Sequence, residues 1–310
     1  MKFGRRYTMA VDGRTLDEFG DPETHYISFP LTCIFQIIKD VTFNTGTGLF
    51  RIYNLAAETR ADIYRDIFEL GDYRGITFAA GYDGEELPQI FQGNIKQAFS
   101  YRQGPDWITE IEAYDGGDAV ENTIANITLP SHPFPYNIRD LALSIIGQFE
   151  NADVGVLGNL QSGVLKPSRG ITVSGNAWDL ITRSIKPFGG FAFINNEKVN
   201  IVNQWEYIVN EGGVEEINSD TGMIGTPKLQ ASLVNVKLIF EPRLEPQQKV
   251  HLTTLESRMT GDYTVSRLVH QGTISGAICE DLTTEATLFQ PNRVLTDASK
   301  AALEAAGFSL

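Results

Sequence analysis

Between Tyr26 and Ile38 the chain alternates as a strand does. Ile27, Phe29, Leu31, Cys33, Phe35 and Ile37 fall on odd positions and define one continuous apolar face. The opposite face, Ser28, Pro30, Thr32, Ile34, Gln36 and Ile38, is only partly polar, so it too is expected to be covered along part of its length. Pro30 has no N–H to give to a ladder, which assigns the first half of this strand to an edge or a bulge. A Gly-containing turn at residues 44–48 leads to a partner strand, Leu49–Tyr53. Asn54 is then expected to cap a short helix from Ala56 to about Asp66, with Ile63 and Ile67 on one side. Gly75–Ala80 and Gln89–Tyr101 flank a Gly- and Asp-rich turn, and Phe91, Ile95, Phe99 and Tyr101 are expected to share a face of the longer strand. Gln103-Gly104-Pro105-Asp106 turns the chain into Trp107–Tyr114, where Trp107, Ile111 and Ala113 alternate with Ile108, Glu110 and Glu112. Residues 1–115 are therefore expected to form a closed or nearly closed antiparallel sheet with one helix.

The period changes in residues 116–190, which predict a small, mostly helical insert. A helix can open within Asp115–Thr123, and SHPFPYN follows as a Pro-rich spacer. Asn137 caps an amphipathic helix with Ile138, Leu141, Ala142, Ile145 and Phe149 on one face. Beyond a Gly-rich loop at 155–163, a second helix runs from Asn176 to about Lys186, with Trp178, Ile181 and Ile185 inward and Pro187 closing it.

Alternation returns over residues 191–289, the expected second β unit. Phe191, Phe193, a turn at Asn195–Lys198, then Val199 and Ile201 read as a hairpin. Thr221–Leu255 reads as a Gly/Pro-bounded loop, a long strand with Val234, Val236, Leu238 and Phe240 on one face, a Pro-flanked turn and a return at Lys249–Leu252. This stretch is expected to be the counterpart of Gln89–Tyr114. Tyr263–Gln271 and Thr273–Leu282, joined by Gly272, complete the unit. Residues 290–310 form a tail in which Asp297 can cap a short Ala-rich helix that Gly307 stops.

Composition narrows the function classes. With 310 residues, 42% hydrophobic and 21% charged, the chain can bury two ordinary cores and is not of the disordered class. No run approaches the roughly 20 apolar residues that span a bilayer. No apolar stretch follows Arg5 and Arg6, so no signal peptide is expected. Cys33 and Cys279 are expected to be buried free thiols, although a bridge between them stays open. A net charge of −14 excludes a surface built to grip phosphates; it fits either simple solubility or a wall past which DNA must slide.

Candidate chemistry is thin. His25, His132, His251 and His270 show no metal-ligand spacing, so no metal is expected. GNLQSG at Gly158 lacks the ending of a phosphate-binding loop. Glu110 and Glu112 share a strand face ~7 Å apart, and Glu215 and Glu216 are adjacent, but a chain with 39 Asp and Glu supplies such pairs by chance. No serine lies in a nucleophile elbow, and neither cysteine lies in a nucleophile motif. No catalytic residue, no cofactor and no enzyme activity are expected.

Several stretches in order resemble one family. RIYNLAAETRADI and GDYRGITFAAGYDGEELPQIFQGNI, then DWITEIEAYDGGDAV, then GNAWDLITRSIKPFGGFAFINNEKVNIV, then TGMIGTPKLQASLVNVKLIFEPRLEPQQKVHL and GDYTVSRLVHQGTISGAICEDL are similar to the baseplate hub proteins of tailed bacteriophages, the long contractile-tailed kind in particular. The last hairpin departs from the pattern: His270-Gln271-Gly272-Thr273 stands where relatives often carry an acidic residue after His-x-Gly.

The resemblance implies an α+β, mainly β fold, with two tail-tube-like antiparallel β-barrel or sandwich domains separated by the small helical insert. It further implies a homotrimer that closes into a pseudo-sixfold ring. Such a ring would join the tail tube or a distal tube protein to the central spike protein. Tape-measure protein and DNA would pass through it without specific binding, and the tail baseplate of the virion, assembled in the host cytoplasm, would be its location. The partly apolar second faces would then meet neighbouring subunits, which makes Ile34, Ile38, Ile108 and Ile239 the expected inter-subunit face. A hub of a type VI secretion or related contractile injection system is the alternative. A particle-associated cell-wall hydrolase is the alternative of another class.

Overall fold

The structure, a computed structural model, describes residues 4–41, 45–69, 71–130, 136–149, 152–158, 164–165, 171–203, 208, 216–230, 233–277 and 281–290. Strands come first: β1 (Arg5–Leu16), β2 (Pro22–Ser28), β3 (Cys33–Asp40), β4 (Thr47–Tyr53), helix α1 (Ala57–Asp62), β5 (Gly75–Tyr82), β6 (Gln89–Gln103) and β7 (Asp106–Tyr114). The middle holds α2 (Gly117–Asn122), β8 (Ile124–Leu129), β9 (Tyr136–Asn137), α3 (Ile138–Ile146), β10 (Asp153–Leu157), β11 (Val164–Leu165), β12 (Ile171–Asn176), α4 (Ala177–Ile185), β13 (Gly190–Asn195) and β14 (Lys198–Asn203). The last part is β15 (Glu216–Ile217), β16 (Met223–Gln230), β17 (Leu233–Ile239), β18 (Lys249–Leu252), β19 (Gly261–Ile274) and β20 (Leu282–Phe289).

The α+β, mainly β class holds, in its sandwich-like form, since no closed barrel forms among the described residues. Instead one 13-stranded sheet runs β16-β17-β20-β19-β3-β4-β7-β6-β5-β1-β2, with β18 and β15 branching from β19. The two β units meet where β3 pairs antiparallel with β19, from Cys33 opposite Ile274 to Asp40 opposite Arg267. Because β19 bonds onward to β3, the first unit continues the sheet rather than curling back on its own edge. The N-terminal part of the same β19 edge is taken by β18, from Gly261 opposite Leu252 to Thr264 opposite Lys249. A single extra residue, Ser266, separates the two halves as a bulge against β20.

The strand order contains a repeat. β3-β4-β7-β6, with β5 on the far edge of β6, matches β16-β17-β20-β19, with β18 on the far edge of β19. Bulges coincide, since Lys96 is the extra residue of β6 against β7 just as Ser266 is in β19 against β20. Registers coincide too: Arg51 faces Glu110 as Lys237 faces Glu285, and Ile34 faces Arg51 as Ile224 faces Lys237. The strand order therefore makes β16–β17 the counterpart of β3–β4, and β19–β20 the counterpart of Gln89–Tyr114, which revises the expected equivalence of Thr221–Leu255.

Burial explains which alternations succeed. Ile27, Cys33, Phe35 and Ile37 are buried as expected, but a turn at residues 29–32 with a cis Phe29–Pro30 bond divides the expected single strand into β2 and β3. β2 lies at the end of the sheet order, where Pro30 predicted an edge. Phe99 and Tyr101 leave the face of Phe91 and Ile95, because the Lys96 bulge shifts the alternation and Ala98 becomes the buried residue. Asn54 does not cap α1. It takes a left-handed conformation, its side chain bonds Asp106 and the Trp107 N–H, and the helix ends at Asp62, leaving Ile67 exposed. Met223–Gln230, expected as a loop, is a strand beside β17, and Lys249–Leu252 pairs with β19 rather than returning along β17. Gly272 lies inside β19 and not between two strands. Its φ of +150° and the carbonyl of Asp281, 2.3 Å from where a Cβ would stand, explain the glycine.

The middle part mixes helices and strands instead of being mostly helical. Asn137 caps α3 by accepting from the Arg139 N–H, and Asn176 caps α4 by accepting from Asp179. Their expected inward residues are all buried, in one core with Ala192, Ile194, Val199 and Ile201. The hairpin of β13 and β14 thus packs on these helices and bonds to β10, while β8 pairs with β12. Two other cores fill the β units. Val234, Val236 and Leu238 of β17 enter the second, while Phe240, next on the same face, enters the first beside Phe35 and Tyr82. Cys33 is a buried free thiol. Residues 155–157 of the loop expected at 155–163 belong to strand β10, while the rest of it beyond Gly158, together with Cys279, His132, Glu215 and the tail helix at 297–307, lies outside the described residues.

Candidate assembly surface

Alternation places the cores on one side of the sheet and a long second face on the other. The rungs of that second face cross the junction of the two units: Ile239 stands opposite Thr283, Thr283 opposite Gln271, Gln271 opposite Gln36, Gln36 opposite Leu49 and Leu49 opposite Glu112. Neighbouring rungs hold Val269 opposite Ile38 and Thr273 opposite Ile34. Ile108 lies on the same face, between Tyr53 and Tyr101. All four residues expected at an inter-subunit face therefore occupy one side of one sheet. They differ in exposure. Ile239 is 44% exposed, Ile34 and Ile38 are half-buried, and Ile108 is only 3% exposed, already covered within the chain.

A groove of about 610 Å³ runs over this junction, lined among others by Ile34, Leu49, Arg51, Lys237 and Gln271. Three ion pairs lie on this face. Arg51 reaches Glu110 at 3.1 Å, Lys96 reaches Glu112 at 3.4 Å and Lys237 reaches Glu285 at 3.6 Å. Gln36 donates its side-chain amide to Gln271 at 3.0 Å across the β3–β19 seam. The two carboxylates weighed as a glycosidase pair are thus each bound to a cation, and neither is held in the apolar setting that a general acid needs. The face is neutral and partly apolar along its middle, with the ion pairs of Arg51, Lys96 and Lys237 around it.

One buried polar junction fastens the middle part to the first β unit. Asp115, wholly buried, accepts from the backbone N–H of Asn196 at 2.6 Å and of Glu197 at 2.7 Å. Those two residues form a two-residue turn with φ of 52° and 58°, an uncommon conformation outside glycine and one that the carboxylate holds in place. Lys39 approaches from β3 and donates to the side chains of Asn195 and Asn196. Burial pushes Asp115 up to about 6 against the pull of those two N–H groups and Lys39, and burial pushes Glu197 up to about 7 against its bond from Gln92. Burial likewise pushes Lys39 down. The sequence hint was the DGG of Asp115–Gly117 at the end of a strand, but its partner hairpin lies some 80 residues on, beyond the reach of local pattern.

His25 bonds Asp62 at 2.6 Å, His251 bonds Asp262 at 2.7 Å, and buried His270 bonds Thr284 at 2.9 Å. Among the described residues no group of three His, Cys, Asp or Glu could hold a metal ion, and no helix is long and apolar enough to cross a membrane.

Comparison with known proteins gives this surface a context. A family model described as baseplate hub gp41 matches residues 50–273. The 43 kDa tail protein of prophage MuSo2 from Shewanella oneidensis is similar over 93% of this chain and 99% of its own, at 9% identity and a TM-score of 0.56. The tail protein from Neisseria meningitidis MC58 is similar over 94% of this chain and 98% of its own, at 10% identity and a TM-score of 0.58. The E. coli c3393 protein, a component of the type VI secretion system, covers 84% of this chain and 75% of its own, at 9% identity and a TM-score of 0.54. At these identities the likeness is one of fold. No curated protein matches the chain in sequence.

Proposed function

Since residues 50–273 match its model, the chain belongs to the baseplate hub gp41 family, and we propose that it acts as a structural, non-enzymatic hub subunit in the baseplate of a contractile phage tail. Three copies form a ring of pseudo-sixfold symmetry, with two tube-like β units per chain separated by the insert. The ring joins the tail tube, or a distal tube protein, to the central spike and leaves a channel for tape-measure protein and DNA. Assembly takes place in the host cytoplasm. The observation that supports this most is the repeated strand order, β3-β4-β7-β6 and β16-β17-β20-β19. Two like units per chain give three chains six like positions, which is the match a sixfold tube needs above a threefold spike. Ile34, Ile38 and Ile239 then serve as contact positions on the shared face, with Ile108 supporting them from within.

The mass of the full chain, alone and mixed with its spike protein, tests the reading. A threefold complex is expected, and a stable monomer that does not assemble with the spike would count against it. Clearing of peptidoglycan by the chain alone would overturn the non-enzymatic assignment. The fold likeness to a type VI secretion component favours one second reading, a spike-base hub of such a system. Neighbouring genes for a capsid and tape-measure protein, or for a secretion sheath without a capsid, separate the two.

A further inference from the structure

We propose that Lys39 and Asn195 condense, without an enzyme, to a side-chain amide: an isopeptide bond that fastens β3 of the first unit covalently to the hairpin of β13 and β14. The reaction takes place within one folded chain, and the proposal does not depend on the hub reading.

Three observations carry it. First, Lys39 is 5% exposed, and its ammonium donates to Asn195 Oδ1 at 2.7 Å and to Asn196 Oδ1 at 3.1 Å. These partners are amide oxygens rather than carboxylates, and a charge buried on such terms is costly. Condensation to a neutral amide removes that charge from the interior. Second, the amine stands at attack distance. Lysine offers only donors, so the amide turns its oxygen toward Nζ and its nitrogen away. Cγ lies ~1.2 Å behind that oxygen, which puts Nζ under about 4 Å from the carbon it attacks. Third, a buried carboxyl meets the same turn. Asp115 accepts from the Asn196 N–H at 2.6 Å, and Asn196 in turn meets Lys39. The second bond of Asp115, from the Glu197 N–H, fixes the turn that presents both amides.

Amide exchange between side chains needs an amine that can lose its proton, an amide carbon in reach, and an acid that carries the proton from one nitrogen to the other. Burial pushes Lys39 down and Asp115 up to about 6, so the proton passes from the ammonium to the carboxylate more readily than in water. Neutral Nζ bonds to Cγ and the Cγ–Nδ2 bond breaks. Nδ2 leaves with one hydrogen from Nζ and the proton carried by Asp115. In sum, one lysine ammonium and one carboxamide give one secondary amide and one ammonium ion, with charge and electrons conserved. The bond joins residues 156 apart in the chain, so the middle part cannot separate from the first β unit while it holds.

The test is the intact mass of the full-length chain, shown to be folded by circular dichroism, incubated to constant mass and then measured in denaturant. The unsubstituted chain is expected to be lighter than its sequence by one ammonia and to run faster than an unlinked chain in a denaturing gel. Its tryptic digest is expected to hold a branched peptide joining the segments around Lys39 and Asn195. Lys39→Arg, which keeps the charge and the donors, and Asn195→Ala are each expected to show the full sequence mass. A folded chain that keeps its full mass overturns the proposal. An ammonia loss that persists in Lys39→Arg overturns it too, since that marks an asparagine cyclised on its own backbone. Persistence in Asn195→Ala removes Asn195 as the acceptor. Asp115→Asn is expected to stay unlinked, and a linked Asp115→Asn chain overturns the part given to Asp115.

Discussion

Arg51 and Lys237 occupy one position in two copies of a strand pattern. Each extends from the second strand of its unit to a glutamate directly across the ladder, Glu110 at 3.1 Å and Glu285 at 3.6 Å. The pairs lie on the shared face with cations 45% and 44% exposed, where water and salt screen them. A double-mutant cycle on either pair, read by urea denaturation, is expected to give a coupling under about 1 kcal/mol. Their larger effect is expected on assembly: replacing Arg51 and Lys237 together by Glu puts like charges side by side on the proposed contact face and should abolish the threefold complex while the monomer stays folded.

Parity along β17 separates the core face from the face proposed for contact. Val236 is 3% exposed and Ile239 44% exposed, on opposite faces of the same strand. Val236→Asp is expected to cost more than about 3 kcal/mol, because a carboxylate enters an apolar core without a partner. Ile239→Asp is expected to change stability by under about 1 kcal/mol yet weaken the threefold complex. Denaturation midpoints and masses of the two variants check both halves.

Protonation of the Asp115 junction links stability to pH. Glu197 rises from 4.5 to about 7 and Asp115 from 3.8 to about 6 in the folded chain, so folding takes up protons there. The sign follows: their contribution is complete below the unfolded values and is lost as pH rises through about 6 and then about 7. The net charge of −14 adds a slope of its own, so a difference between variants is the quantity to read. Glu197→Gln, which keeps a polar partner for Gln92, is expected to melt with a flatter dependence between pH 6 and 8 than the unsubstituted chain. Parallel melting curves for the two would refute the assignment.

His270 has the opposite sign. Burial, aided by Lys39, pushes it from 6.5 down to about 3, so its contribution is complete above the unfolded value and fades as pH falls through the folded one. The Thr284 hydroxyl accepts from the Glu241 N–H, which leaves its proton for Nδ1 of a neutral ring. His270→Leu is expected to cost roughly 1–2 kcal/mol at pH 7, where that hydroxyl loses its acceptor. The cost should shrink at pH 4. Denaturation at the two pH values measures it.

Period-2 alternation made the β-rich class and most strand cores legible, as Val234, Val236 and Leu238 show, and side-chain caps made α3 and α4 legible through Asn137 and Asn176. Failures came where one residue reset the parity or broke the pattern. Lys96 turned Phe99 outward, Pro30 divided a strand, and Gly225 and Pro227 hid β16 inside what reads as a loop. Ile34, Ile38, Ile108 and Ile239 lie on one side of the sheet because parity survives across a continuous ladder, but the burial of Ile108 was not legible. What no local pattern contains is the pairing of distant segments: β19 with β3, or Asp115 with the turn at Asn196 and Glu197.

The β3–β19 seam also sets an order of events during synthesis. Residues 33–40 leave the ribosome early, but their partners at 267–274 arrive more than 200 residues later, so the edge of β3 stays bare while most of the chain is made. Exposed strand edges of this kind recruit other chains. A message truncated before residue 267 would release a product whose β3 edge has no partner and whose first core lacks Ile274 and Leu282, and a cell making this protein in quantity gains from finishing every copy it starts.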